Sequence, residues 1–234
     1  MYHISNLRRV LVFAAHQDDE AIGCGATLKK LSKSGASVRV VFITNGKTGV
    51  SPGNLEIKEK IVSTRMKEAK KAAKILGISE LKSLDFECQK VDSKDQELFH
   101  KVIQEIRSFK PQIVITHSTH DNHRDHRAIS EVVVEACWKS KESIHVELGD
   151  MHEVTDVWGM EVVDPHKDFD FVIDVSETIQ SKIKSMEVYS SQLEIVDGIF
   201  GYMSGLSKVR GYSIGVTAGE AFKRLSINPA EVAF

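Results

Sequence analysis

Two short stretches concentrate the side chains that can do chemistry. One is His16-Gln17-Asp18-Asp19-Glu20; the other runs from His117 through His120, Asp121, His123, Arg124 and Asp125 to His126. His16 and Asp19, three positions apart, can converge on one cation, and His126 can add a third ligand from the second stretch. Two imidazoles and a carboxylate leave positions open for water and substrate, as a catalytic zinc requires. A cation so held lowers the pKa of its water from about 15.7 to about 7 and polarises a carbonyl oxygen. Asp18, beside Asp19, is free to act as general base. His123, one helical turn before His126, can serve as acid or oxyanion stabiliser, and Asp125 can accept a histidine N–H and fix its tautomer. Each stretch alone has a plainer reading, because carboxylates after a strand often cap a helix and histidine-rich loops are often solvated. Both together, at the ends of two strands that can be neighbours, favour the metal.

The surrounding pattern says how these residues are positioned. Val10–Ala15, Val38–Thr44 and Gln112–Thr116 are apolar runs of the kind found in strands buried on both faces, with Ser83–Phe86 and Phe169–Val175 as further strands. Helical patterns over Ala21–Ser34, Glu56–Leu76, Ser93–Phe109, Asp125–Ser140 and Ser176–Ser190 lie between or after them. Phe99, Val102, Ile103 and Ile106 share one helix face, as do Ile129, Val132, Val133 and Ala136. Alternation at this pitch predicts an α/β fold of βαβ units around a mainly parallel sheet, with ligands bound beyond the C-terminal strand ends. The glycine-rich span Asp197–Gly219 reads as turns and loops. Trp158 is expected in the core, with stacking on a sugar as the alternative.

The 234 residues suit one domain, 1–234, whose segment from about 150 onward is an elaborated lid, substrate or interface region. A net charge of −2 gives no reason to expect nucleic acid or an anionic membrane as partner. Three dispersed cysteines, Cys24, Cys88 and Cys137, read as buried thiols rather than a disulfide framework or a metal knuckle. The first apolar run is too short for a signal peptide or a membrane span, so the expected location is cytoplasmic.

His16–Glu20 resembles the AHPDDE motif of the LmbE-like (PIG-L) deacetylase family, and His123–His126 its later HPDH motif. Thr44-Asn45-Gly46, the Arg65-x-x-Glu68 helix ending at Leu76-Gly77, Tyr189-x-x-Gln192 and Arg210-Gly211 through Glu220-x-Phe222 are similar to further family signatures. The resemblance implies a Rossmann-like three-layer fold and zinc-dependent hydrolysis of an N-acetyl group from an amino sugar or glycoconjugate, with Fe2+ as an alternative metal and a homo-oligomer allowed. By position it makes His16, Asp19 and His126 the metal ligands, Asp18 the base and a protonated His123 the carbonyl-polarising group. Arg65 becomes a substrate contact, against the plainer reading of a surface ion pair with Glu68. Gln17 and Arg124 replace the family's usual prolines, which puts loop rigidity in question. Tyr189 and Gln192 are expected to be structural or interfacial, and His3, His100, His145, His152 and His166 ordinary surface or packing residues. A thiol-conjugate amidase of the same family is the nearest alternative. Gly23 and Gly25 invite a dinucleotide-binding reading, but no GxGxxG is present and helix–sheet packing explains them more simply.

Overall fold

The computed structural model describes residues 4–48, 55–193 and 195–225. β1 (Arg9–Ala14) leads into α1 (Asp19–Lys33), β2 (Ser37–Thr44) into α2 (Leu55–Leu76), β3 (Glu80–Phe86) into α3 (Gln96–Phe109) and β4 (Ile113–His117) into α4 (Arg124–Lys139). β5 (Asp156–Met160) and β6 (Phe171–Asp174) follow, then α5 (Ile179–Glu187), α6 (Ser190–Leu193), α7 (Ile199–Tyr212) and β7 (Gly219–Arg224). The seven strands form one sheet in the order β3-β2-β1-β4-β5-β7-β6. β1 to β5 are parallel, and β7 runs antiparallel between β5 and β6.

β1 shows why continuous apolar runs form the centre. Val10, Val12 and Ala14 pack on one side with Leu28 and Leu31 of α1, while Leu11, Phe13 and Ala15 pack on the other with Ile103, Ile106 and Val133 of α3 and α4. Helices α1, α2 and α5 touch one another over the first face, and α3 packs on α4 over the second, giving the three expected layers. α3 starts later than the pattern suggests because Asp95 caps it, accepting from the N–H of Glu97 at 2.8 Å and of Leu98 at 3.2 Å. Trp158 lies in the core against Phe171 and Phe222. His3 lies outside the described residues.

The C-terminal part departs furthest from expectation. The span Asp197–Gly219 is not turns and loops; it holds the 14-residue helix α7. Glycine disfavours a helix by about 1 kcal/mol against alanine, so Gly201, Gly205 and Gly211 mask it in the sequence. Tertiary packing restores it: Ile199, Met203, Ser207 and Gly211, spaced by four, form its buried stripe. Gly211 is demanded by its neighbours, since a Cβ there would meet the Val216 carbonyl oxygen at 2.7 Å and Ala218 Cα at 2.8 Å. Gly23 likewise permits close helix–sheet approach, a Cβ falling 2.7 Å from Met160 Sδ of β5. Gly25 faces Lys182 of α5 with ordinary space for a Cβ, so it does not serve helix–sheet packing. β5, broken by Gly159, and β7, with Glu220, Lys223 and Arg224, do not stand out as apolar runs, and they complete the sheet.

From β1 the chain moves to β2 and β3 on one side, and then to β4 and β5 on the other. The C-terminal ends of β1 and β4 therefore flank the point where the winding reverses, the place where an open α/β sheet leaves a crevice. Both chemistry-bearing stretches begin there.

Candidate active site

The turn from β1 into α1 is built by its own polar groups. The His16 N–H donates to Asp19 Oδ2 at 2.7 Å, and the Asp19 N–H donates to the His16 carbonyl at 3.3 Å. Asp18 occupies the N-cap position of α1, yet its side chain makes no capping hydrogen bond. Its backbone, at φ 146° and ψ −26°, lies where L-residues rarely go, at a cost of about 1–3 kcal/mol. The Asp18 N–H donates to Glu20 Oε2 at 3.3 Å, and the buried Glu20 accepts on Oε1 from the Tyr189 hydroxyl. Gln17, buried where the family has proline, ties the turn to β2 by donating to the Thr44 carbonyl at 3.0 Å. Arg124 is exposed and does not line the cavity.

His16 Nδ1, Asp19 Oδ2 and His126 Nε2 face one another, each pair 3.4 Å apart. The outward nitrogens are turned to carboxylates: His16 Nε2 lies 3.3 Å from Asp125 Oδ2, and His126 Nδ1 lies 3.2 Å from Asp121 Oδ1. A carboxylate at the outer nitrogen holds the ring proton there and leaves a lone pair on the inner one. Three acceptor atoms then share one gap, an arrangement that favours positive charge between them. Ligand atoms about 2.0–2.2 Å from a tetrahedral ion are about 3.3–3.6 Å apart, which the observed spacing matches.

Overlapping groups of potential ligands share His126, one with His16 and His123 and the other with Asp19 and His117. The expected set takes one member from each, and hydrogen bonding explains why. His117 Nε2, although 3.4 Å from Asp19 Oδ2, accepts from the Ala15 N–H at 2.8 Å, so its lone pair is engaged. His123 Nδ1 accepts from the Asp125 N–H at 3.2 Å, so that nitrogen is engaged, and its Nε2 lies 3.1 Å from the Gln89 side-chain nitrogen. The sequence places His117 and Asp121 in the second stretch without giving either a role; their position from the end of β4 up to His123 is the available signal.

The electrostatics agree with the geometry. Burial opposes charge on both rings, but Asp125 and Asp19 hold the His16 pKa well above its ordinary value, and Asp19 with Asp121 brings His126 up to about 9. Burial also opposes charge on Asp19, yet His126 and His117 hold its carboxyl well below the usual range. The attraction that retains protons in this gap acts equally on a cation. His117 is kept neutral by burial and by the neighbouring His126. For His123, expected to be protonated, burial, His126 and His16 depress the pKa and so disfavour the charged ring. Burial, then the Asp19 charge, push the Asp18 carboxyl up to about 7 against the pull of Arg65, His16 and His126.

A cavity of about 630 Å3 opens on this cluster. His16, Asp18, Asp19, Arg65, Gln89 and His123 form its polar floor. Val162 and Val163 after β5, and Val196, Ile199 and Tyr202 of the α6–α7 region, form a largely apolar wall. Arg65 is 3% exposed and is no surface partner of Glu68, whose carboxylate instead accepts from Ser190 Oγ, the Ser191 N–H and Ser191 Oγ. Gln192 lines the cavity, whereas Tyr189 is fully buried beneath it. Cys24, Cys88 and Cys137 are free and buried. His100, His145 and His152 lie elsewhere as packing groups, and His166 is buried with Nε2 on the Gly159 carbonyl at 3.0 Å.

A strained carboxylate beside three converging ligand atoms, at the reversal point of a parallel sheet, defines a candidate metal-assisted hydrolytic site. The family model described as GlcNAc-PI de-N-acetylase (PIG-L) matches residues 11–137, and the chain belongs to that family. It is 31% identical over 194 residues to a probable N-acetyl-alpha-D-glucosaminyl L-malate deacetylase 2 of Bacillus cereus, covering 80% of this chain and 84% of that one. It is 27% identical over 196 residues to the diacetylchitobiose deacetylase of Thermococcus kodakarensis, covering 80% and 71%. The fold is also that of GalB, the 4-carboxy-2-hydroxymuconate hydratase of Pseudomonas putida, with TM-score 0.85 at 19% identity over 97% of this chain and 100% of that one. A fold shared with a hydratase does not by itself name the reaction, so the chemistry has to be argued from the site.

Proposed function

We propose that this protein removes the N-acetyl group of an amino sugar or glycoconjugate by hydrolysis, using a divalent cation held by His16 Nδ1, Asp19 Oδ2 and His126 Nε2. The three mutual 3.4 Å separations carry the reading, with outer nitrogens turned to Asp125 and Asp121. Zinc suits this donor set, and Fe2+ is the alternative. Such a cation, when bound, acidifies water and polarises the amide carbonyl. Asp18, freed from capping, takes the proton of the attacking water and returns it to the departing amine. His123 donates its Nε2 hydrogen to the carbonyl oxygen as charge develops there. Asp125 orients His16, and Arg65 binds the substrate from the cavity floor. The deacetylase names of the two sequence relatives support an N-acetylated sugar as substrate. A dinucleotide is disfavoured because the turn amides of His16 and Asp18, which would cradle a pyrophosphate, already serve carboxylates.

Acetate release across a panel of N-acetylated sugars, with a mercapturic amide as comparison and metal analysis of the same samples, tests this. Asp18→Asn is expected to lose about 100- to 10,000-fold in kcat while keeping its metal. His126→Ala is expected to lose the metal itself. Near-normal turnover by Asp18→Asn would remove the base assignment, and preferred cleavage of the mercapturic amide would make the protein an amidase of thiol conjugates.

A further inference from the structure

Glu20 is a carboxyl group in an unfavourable place. It is fully buried and bonded to no lysine or arginine among the described residues. Burial pushes its pKa up to about 8, against the Tyr189 hydrogen bond and with the Asp18 charge adding to the rise. A buried acid without a cation is a liability that an apolar residue of similar volume avoids. Its contacts indicate what it does. Asp18 sits at φ 146°, a conformation that must be imposed from outside. The peptide after Asp18 is fixed by α1, since its carbonyl accepts from the Ala21 and Ile22 N–H groups at 2.9 and 3.0 Å. The peptide before it is fixed through the Asp18 N–H, which goes to Glu20 Oε2. Tyr189, 169 residues further along and also fully buried, holds the other oxygen.

We propose that Glu20, braced by Tyr189, is a positioning residue that holds Asp18 out of the ordinary helix-cap conformation and so keeps its carboxylate in the cavity. An aspartate at an N-cap normally turns its side chain onto the first helical amides. Here the carboxylate two residues on takes the Asp18 N–H instead, and the Asp18 side chain is left for chemistry. This rests on the proposed role of Asp18 as base.

The test compares Glu20→Met, which keeps volume but loses the acceptor, with Glu20→Gln, which keeps an acceptor oxygen and offers Tyr189 an N–H. Glu20→Met is expected to lower kcat about 10- to 100-fold with KM and bound metal unchanged. Glu20→Gln should stay within about threefold of wild type, and Tyr189→Phe should fall between the two. In an Asp18→Asn background, Glu20→Met should cost no further activity. A crystal structure of the Glu20→Met protein gives a readout independent of turnover: Asp18 is expected to leave positive φ and cap α1. Asp18 unmoved in that structure, or a kcat loss matched by metal loss, overturns the proposal. Should Glu20→Met not fold, Tyr189→Phe carries the same structural and kinetic test. A wild-type protein that releases no acetate sinks the functional reading, whereas an active one whose Glu20→Met variant is equally active sinks only this inference.

Discussion

Gly46 shows how closely single residues are constrained around the cavity. Its φ is +70°, and a Cβ there would fall 2.3 Å from Gln17 Oε1 and 2.7 Å from Arg65 Nη1. Gly46→Ala therefore combines a left-handed backbone cost of about 1–2 kcal/mol with displacement of Arg65. A several-fold rise in KM with little change in kcat is expected from steady-state kinetics, and an unchanged KM would remove Arg65 from substrate binding. At this scale the sequence is most readable where chemistry prescribes atom types. His16, Asp19 and His126 stand out because few side chains can hold a metal, and the fold brings them together. Asp121 and His117 were not singled out, because a residue that orients a ring or engages a backbone amide carries no signature of its own. The partnership of Glu20 with Tyr189 depends on a contact across 169 positions, which spacing cannot reveal.

Elements are held by groups as specific as those of the site. Arg107, on the α3 turn nearest its end, is buried and sends its guanidinium into the loop that follows α4. It donates to the carbonyl oxygens of Ser140, Glu142, Ile144, His145 and Gly149. One side chain thus replaces the regular hydrogen bonding that the loop lacks. Arg107→Met is expected to destabilise the fold by about 2–4 kcal/mol in urea denaturation, with kcat preserved because this loop lies at the end of α4 remote from His126. α1 shows a comparable device: it bends at Cys24, and beyond the bend Glu220 accepts from the N–H groups of Ala26 at 3.2 Å and Thr27 at 2.7 Å while paired with the buried Lys182. Local pattern predicts β1, β2, β4 and α3 well, since their burial matches their periodicity. It misses α7, β5 and β7: glycines interrupt the helix, and the strands carry Asp156 and Gly159, or Glu220 and Lys223, within short runs.

For the whole molecule, the proposed cation bridges the ends of β1 and β4, which carry separate halves of the parallel sheet. Binding to the folded state alone stabilises by about 2.7 kcal/mol at a free metal concentration 100 times Kd. For a chain of this size, with about 2–4 °C per kcal/mol, zinc should raise Tm by about 5–11 °C. A chelator should reverse the rise, and His126→Ala should show none; an equal rise in that variant would place the metal elsewhere. Among the described residues no helix is long and apolar enough to cross a membrane. Strands β1 to β4 and β6 and both chemistry-bearing turns were legible from alternation and strand-end polarity, while β5 and the antiparallel β7 were not. The chain after β5, with the α6–α7 region, supplies the apolar cavity wall of Val162, Val163, Val196, Ile199 and Tyr202, which lies beyond the family match at 11–137. On the proposed function, exchanging that wall between relatives is expected to change substrate preference while leaving the proposed ligands, base and Arg65 in place, a route by which one ancestor can diversify without relearning its chemistry.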